Sequence, residues 1–119
     1  MAKVIGIGGV FFEAKDPEAL YAWYAEHLGI GPREGEYGVT FQSPEARTVW
    51  SIFERDTPYF RPGNGAFMIN YTVDDLDGML AQLERGGVAC EGRDSADYGS
   101  FAWIRDPEGN RVELWQPKA

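Results

Sequence analysis

The 119-residue chain has one cysteine, Cys90, and one histidine, His27. A lone thiol excludes an internal disulfide and any thiolate metal cluster built within one chain. A lone imidazole excludes a two-histidine facial triad within one chain. Positive charge is also scarce: 11 Lys and Arg stand against 19 Asp and Glu, a formal net charge of −8. Nucleic-acid binding normally needs a basic stripe to neutralise phosphates, so that class of partner is set aside. No apolar run approaches the roughly 18–20 residues of a membrane span. The opening MAKVIGIGG lacks the apolar stretch of about 7–15 residues that a secretory leader carries. A cytoplasmic protein with no membrane and no nucleic-acid partner is expected.

Aromatic and apolar residues are plentiful. A hydrophobic share of 44% with 14% aromatics argues for a packed globule about one domain in size. Residues 9–24 (GVFFEAKDPEALYAWY) return in degenerate form half a chain later, at 68–83 (MINYTVDDLDGMLAQL). Asp16 matches Asp75, Phe12 matches Tyr71 and Leu20 matches Met79. Solenoid repeats are shorter and need about three copies or more. Two long copies point instead to one supersecondary unit used twice across a pseudo-twofold, with a cleft between. The expectation is a single domain over 1–119, built of modules at about 1–60 and 65–119.

Val4–Ala14 reads as a buried strand. Asp16-Pro17-Glu18 is a helix start, since Asp accepts free first-turn N–H groups and Pro suits the first helical position. Leu20, Trp23, Tyr24 and Leu28 then recur at helical spacing, and Gly29 suits a left-handed stop. Strands are expected at Tyr37–Gln42 and Thr48–Glu54, joined by a turn at Ser43-Pro44-Glu45, with a loop over Asp56–Asn64. The second unit runs from strand Ala66–Val73 to a helix opened by Asp75, carrying Leu76, Met79, Leu80 and Leu83, and closed by Gly86-Gly87. Strands follow at Val88–Cys90, Ser100–Asp106 and Arg111–Gln116, the last two joined by a tight turn at Pro107-Glu108-Gly109-Asn110. The order is β-α-β-β-β twice, an α+β fold.

Strand alternation sorts these residues onto two faces. Val10, Phe12 and Ala14, then Ile69, Tyr71 and Val73, then Ala102, Ile104, Val112 and Leu114, suit the helix side. The open side receives Gly9, Phe11, Glu13, Met68, Asn70, Thr72, Phe101, Trp103, Arg111, Glu113 and Trp115. Trp50 and Phe53 have opposite parity in an ideal strand, and Trp50, Ile52 and Glu54 are read as inward. A mostly apolar cleft with a few converging polar groups is how ligand sites are built. Phe11, Glu13, Trp50, Met68, Asn70, Phe101, Trp103 and Trp115 are therefore the ligand-binding candidates, weighed against a role as simple packing. Glu113 is the catalytic candidate: a base if burial raises its pKa, an acceptor for a polar ligand, or a partner of Arg105 or Arg111. Tyr59 and Phe60 cover the cleft, anchor a partner subunit or simply pack. His27, in the last helical turn, reads as a residue meeting the negative helix end, and Cys90 as an unactivated thiol.

The early strand running into DPEALYAWYAEHLGI, and the ending FAWIRDPEGNRVELWQP, resemble the glyoxalase/bleomycin-resistance/extradiol-dioxygenase superfamily, the vicinal oxygen chelate proteins. The resemblance covers nearly the whole chain, and DPEGNRVELW is its most specific stretch. It implies paired βαβββ modules whose strands form a curled mixed-sheet cup, usually in homodimers. It also implies metal ligands on the first strand of each module and on the last strand. Those positions here are Gly9, Met68 and Glu113. Only the carboxylate remains; glycine has no side chain, and a thioether suits Mg²⁺, Mn²⁺ or Fe²⁺ poorly. No cofactor is expected and a divalent metal is not favoured. The leading reading is a metal-free binder of a small aromatic or cationic molecule. Its rivals are a lyase, isomerase or dioxygenase-like enzyme using Glu113 as base or metal ligand, and a structural module whose own side chains fill the cleft.

Overall fold

Asp16 and Asp75, matched across the repeat, each open a helix. Asp16 Oδ1 accepts from Ala19 N at 3.1 Å and Asp75 Oδ1 from Gly78 N at 3.0 Å. Each bond satisfies a donor that the first helical turn leaves free. The structure is a computed structural model that describes residues 1–28, 30–42, 47–63 and 65–118. The stop at Gly29, the turn at Ser43-Pro44-Glu45 and the roles read for the His27 and Leu28 side chains lie outside the described residues.

The elements are β1 (Val4–Ala14), α1 (Pro17–Leu28), β2 (Val39–Gln42), β3 (Arg47–Glu54), a 3₁₀ turn (Pro58–Phe60), β4 (Phe67–Val73), α2 (Leu76–Arg85), β5 (Gly92–Ala96), β6 (Gly99–Arg105) and β7 (Arg111–Pro117). They form one seven-stranded sheet in the order β2-β3-β1-β4-β7-β6-β5. In each half the first strand pairs in parallel with the last, β1 with β3 and β4 with β7. The halves meet antiparallel at β1 and β4. The fold is thus α+β, a seven-stranded mixed sheet of two βαβββ-like modules.

Two expectations about strands need correction. Among the described residues the first module has one strand fewer than the second, because the segment that would supply it turns instead: Glu36 N donates to Arg33 O at 3.0 Å, and Gly35 has φ +83°. The stretch Val88–Cys90 is not a strand either. Val88 N donates back to Leu83 O at 2.8 Å, closing the end of α2 beside Gly87 at φ +83°. Pairing with β6 begins only at Glu91, whose N donates to Trp103 O at 2.7 Å.

The two helices cover the same sheet face. Phe12 lies opposite Phe67 across β1 and β4, and alternation along β4 puts Phe67, Tyr71 and Val73 on one side. Val73, Leu76, Ala102 and Leu114 form the hydrocarbon cluster between that side and α2. The opposite face holds a second cluster of Phe11, Phe60, Met68, Phe101, Trp103 and Trp115. It is almost wholly aromatic.

Candidate functional site

Glu113 sits on the open face of β7 and is 1% exposed. Sheet register brings two donors to it. Asn70 on β4 and Trp103 on β6 are its direct cross-strand neighbours. Asn70 Nδ2 donates to Glu113 Oε1 at 2.6 Å, and Trp103 Nε1 donates to Oε2 at 2.8 Å. The third donor comes from outside the sheet: Tyr59 Oη donates to Oε2 at 2.5 Å. All three direct partners are neutral. Arg111 lies close by, with its guanidinium 5.1 Å from the Trp103 ring centroid.

Tyr59 is presented by the 3₁₀ turn between the modules, which is fastened independently of the tyrosine ring. Phe60 is 1% exposed within the aromatic cluster. Thr57 Oγ1 accepts from Tyr59 N at 3.3 Å, and Arg111 Nε donates to Tyr59 O at 2.9 Å. The Tyr59 ring stacks on Phe53, centroids 5.4 Å apart and planes at 19°, and meets Trp103 edge-on at 5.9 Å.

Burial is the main influence on Glu113 and pushes its carboxyl above the usual carboxylate range; the three donors and Arg111 pull the other way. Burial, and then the neighbouring Glu113 carboxylate, push the Tyr59 phenol upward. The cluster therefore favours a protonated tyrosine donating to a carboxyl that is costly to ionise. Burial also lowers the Arg111 guanidinium, against the pull of Tyr59 and Glu113.

One atom in this cluster is unsatisfied. Asn70 Oδ1 is buried with no hydrogen-bond partner among the described residues, and it faces Gly8. A Cβ at Gly8 would collide with Asn70 Oδ1 and would stand 2.8 Å from Thr72 Oγ1 and 2.9 Å from Trp115 Cε3. The β1–β4 register shifts between Ile7 and Gly9, so Gly8 and Gly9 both lie against open-face side chains. Only glycine suits position 8.

Phe11, Met68, Phe101, Trp103 and Trp115 all belong to the aromatic cluster of the open face, and Asn70 meets Glu113 beside it. Glu13 has different partners. It accepts from Asp56 N at 3.1 Å and from Arg61 Nη2 at 3.4 Å, fastening the inter-module loop to β1. Trp50 requires a correction. It packs on the helix face, with ring centroids 4.8 Å from Tyr24, 5.7 Å from Phe12 and 6.0 Å from Tyr21. Ile52 follows it, and its N donates to Tyr21 Oη at 2.8 Å. Phe53 takes the open side instead, 5.4 Å from Phe11 and 4.8 Å from Phe60. Phe53 and Tyr59 are the two site residues that the strand reading left out. Their signal was parity opposite to Trp50, and an aromatic pair in the loop that joins the modules.

The positions that the resemblance assigns to a metal do not fit one. Gly9 offers no donor atom, Met68 is fully buried among aromatics, and the carboxylate oxygens of Glu113 face three N–H and O–H donors. Among the described residues no group of three or more His, Cys, Asp and Glu stands ready to hold a metal ion. An open groove of about 460 Å³ runs beside α1, lined by Pro17, Glu18, Tyr21, Ala25 and Glu36 among others. None of its polar side chains is buried, so it lacks the fixed polar group that marks the Glu113 cluster. No described helix is long and apolar enough to cross a membrane.

A family profile described as Glyoxalase/Bleomycin resistance protein/Dioxygenase superfamily matches residues 6–114. Among solved structures, a variant of Streptomyces coelicolor methylmalonyl-CoA epimerase with 2-nitronate-propionyl-CoA superposes with TM-score 0.70 at 16% identity, covering 98% of this chain and 100% of the other. Methylmalonyl-CoA epimerase from Mycobacterium tuberculosis gives 0.67 at 19% identity, covering 98% and 90%. A glyoxalase/bleomycin resistance protein/dioxygenase superfamily member from Vibrio splendidus 12B01 gives 0.58 at 12% identity, covering 98% and 99%. At these identities the likeness is one of fold. No curated protein matches the chain.

Proposed function

Since the chain belongs to the glyoxalase/bleomycin resistance protein/dioxygenase superfamily, we propose that it is a metal-free binder of a small aromatic or cationic molecule, held in an acidic, aromatic cleft around Glu113. One observation carries this reading. Among the described residues a buried carboxylate is met only by neutral donors, and one of them, Tyr59, is 38% exposed and reachable from solvent. A ligand that supplies an N–H or O–H to Glu113 and a flat face to the surrounding rings meets both halves of such a site. The lack of a direct cationic partner among the described residues leaves room for a positive ligand, which the tryptophan faces would also attract. We further propose that the strands curl around this cleft and that the protein is a cytoplasmic homodimer. The exposed apolar residues Ile7, Val10 and Phe67, on the two central strands between the helices, offer the surface for a second copy.

A screen of aromatic and cationic small molecules by thermal shift tests the binding reading. A specific ligand raises the melting temperature by mass action, and Glu113→Leu, which removes the acceptor oxygen that glutamine would keep, abolishes that rise. A shift that survives the substitution refutes the reading.

An enzymatic reading has one observation in its favour: burial raises the Glu113 carboxyl toward the range in which a general base both takes and returns protons. It requires chemical turnover of the ligand that persists under chelation and is lost in Glu113→Gln. A ligand recovered unchanged removes it.

A further inference from the structure

Tyr59 reveals what the cleft is shaped to receive. Its ring fills a slot between Phe53 and Trp103, and its hydroxyl donates to Glu113. Of the three donors to that carboxylate it is the replaceable one. Asn70 and Trp103 are 2% and 9% exposed within the sheet, whereas Tyr59 is 38% exposed on a connecting turn. The turn does not depend on the ring. Phe60 anchors it, and Arg111 and Thr57 bond its backbone. The tyrosine side chain can therefore rotate into solvent while the turn stays seated.

We propose that the cleft takes a para-substituted phenol, whose ring and hydroxyl replace those of Tyr59 as that side chain swings outward. The para substituent would leave by the path now taken by the tyrosine Cβ, toward solvent. This rests on the binding reading above and narrows its ligand to one class. A phenol is favoured over an ammonium on two grounds. Flat aromatic contacts on Phe53 and Trp103 are met by the whole ring, with the hydroxyl already at hydrogen-bond distance. A neutral O–H also donates to a carboxyl oxygen whether or not Glu113 carries its own proton, whereas an ammonium needs the ionised form that burial disfavours.

Calorimetric titration with p-cresol, toluene and benzylamine, on the wild type and on Tyr59→Phe, tests this. Tyr59→Phe keeps the ring and removes only the competing hydroxyl. The wild type should bind p-cresol about tenfold or more tightly than toluene, the scale of one hydrogen bond to a charged or buried acceptor. Tyr59→Phe should tighten p-cresol and toluene alike, by up to about tenfold, because both displace the same side chain and it has lost its hydrogen bond. The tyrosine ring resonances of the wild type should move on adding p-cresol. Equal affinity for p-cresol and toluene, or a wild-type preference for benzylamine, overturns the phenol assignment and leaves the binding reading in place. No saturable binding of any of the three by either protein overturns both.

Discussion

Replacing Glu113 with glutamine should stabilise the protein at neutral pH and change little in acid. The folded state holds the carboxyl above its ordinary value of 4.5, chiefly through burial. Over the interval between the unfolded and folded values, the native protein keeps a proton that the unfolded chain has released. Stability then falls as pH rises, because the unfolded state binds fewer protons than the native one. The slope approaches about 1.4 kcal/mol per pH unit within that window and vanishes below it, where both states are protonated. For a chain of 119 residues, unfolding entropy near about 0.25 kcal/mol per degree makes this about 5–6 °C of melting temperature per pH unit. Glutamine keeps the shape without the ionisation, so its curve lacks this fall. The measurement is the difference in stability between Glu113→Gln and wild type, by denaturant or heat, from pH 4 upward. Taking the difference removes groups common to both proteins. Asp106 is one: its bonds from Asn110 lower its carboxyl and act in the opposite sense. A flat difference, or a wild type that gains on the variant as pH rises, would mean that Tyr59, Asn70 and Trp103 outweigh burial. The account of Glu113 as a strained acid would then fail.

Gly8→Ala should cost about 1–3 kcal/mol, the usual penalty for forcing a methyl into a filled interior. Its Cβ meets Asn70, Thr72 and Trp115 at once, and an unchanged denaturation midpoint would refute the close approach. For the homodimer, sedimentation velocity should find the wild type as a dimer and Phe67→Glu or Ile7→Glu as monomers, since both positions lie on the uncovered central strands. A monomeric wild type ends that proposal.

Strands β4, β6 and β7 of the second module were readable from their sequence because they alternate cleanly. On β7, Val112 and Leu114 are apolar where α2 covers them, and Glu113 is polar where it is bonded on the other face. On β3 both faces are apolar. Trp50 faces α1 and Phe53 faces the open side, so hydrophobicity alone could not choose between them, and a one-residue slip in parity reverses every side chain. Tyr59 was read as a possible cover for the cleft, but its bond to Glu113 was hidden for a different reason. Nothing local to Pro58–Phe60 encodes its partner; the contact spans 54 positions and depends on the halves meeting at β1 and β4. The same holds for Gly8, whose need to be glycine comes from a register shift against Asn70 that periodicity does not reveal. The strand at 92–96 was missed because Gly92, Arg93, Asp94 and Ser95 carry little β-propensity. Pairing with β6 holds them in place.

The strands themselves argue against packing as the whole purpose of the open face. β4, β6 and β7 contribute Val73, Ala102 and Leu114 to the α2 side, a cluster made of hydrocarbon alone. On their other side the same three strands contribute Asn70, Trp103 and Glu113. That arrangement buries a carboxyl, leaves Asn70 Oδ1 without a partner among the described residues and requires glycine at position 8. An unsatisfied buried acceptor alone costs about 1–3 kcal/mol, and replacing buried polar clusters with well-packed apolar side chains is often neutral or stabilising. A hydrocarbon solution was open to these strands, as their helix side demonstrates. Local rules broken together at one place, with an exposed tyrosine completing the cluster, are what a recognition site produces, and they make Glu113 the first residue to test for ligand contact.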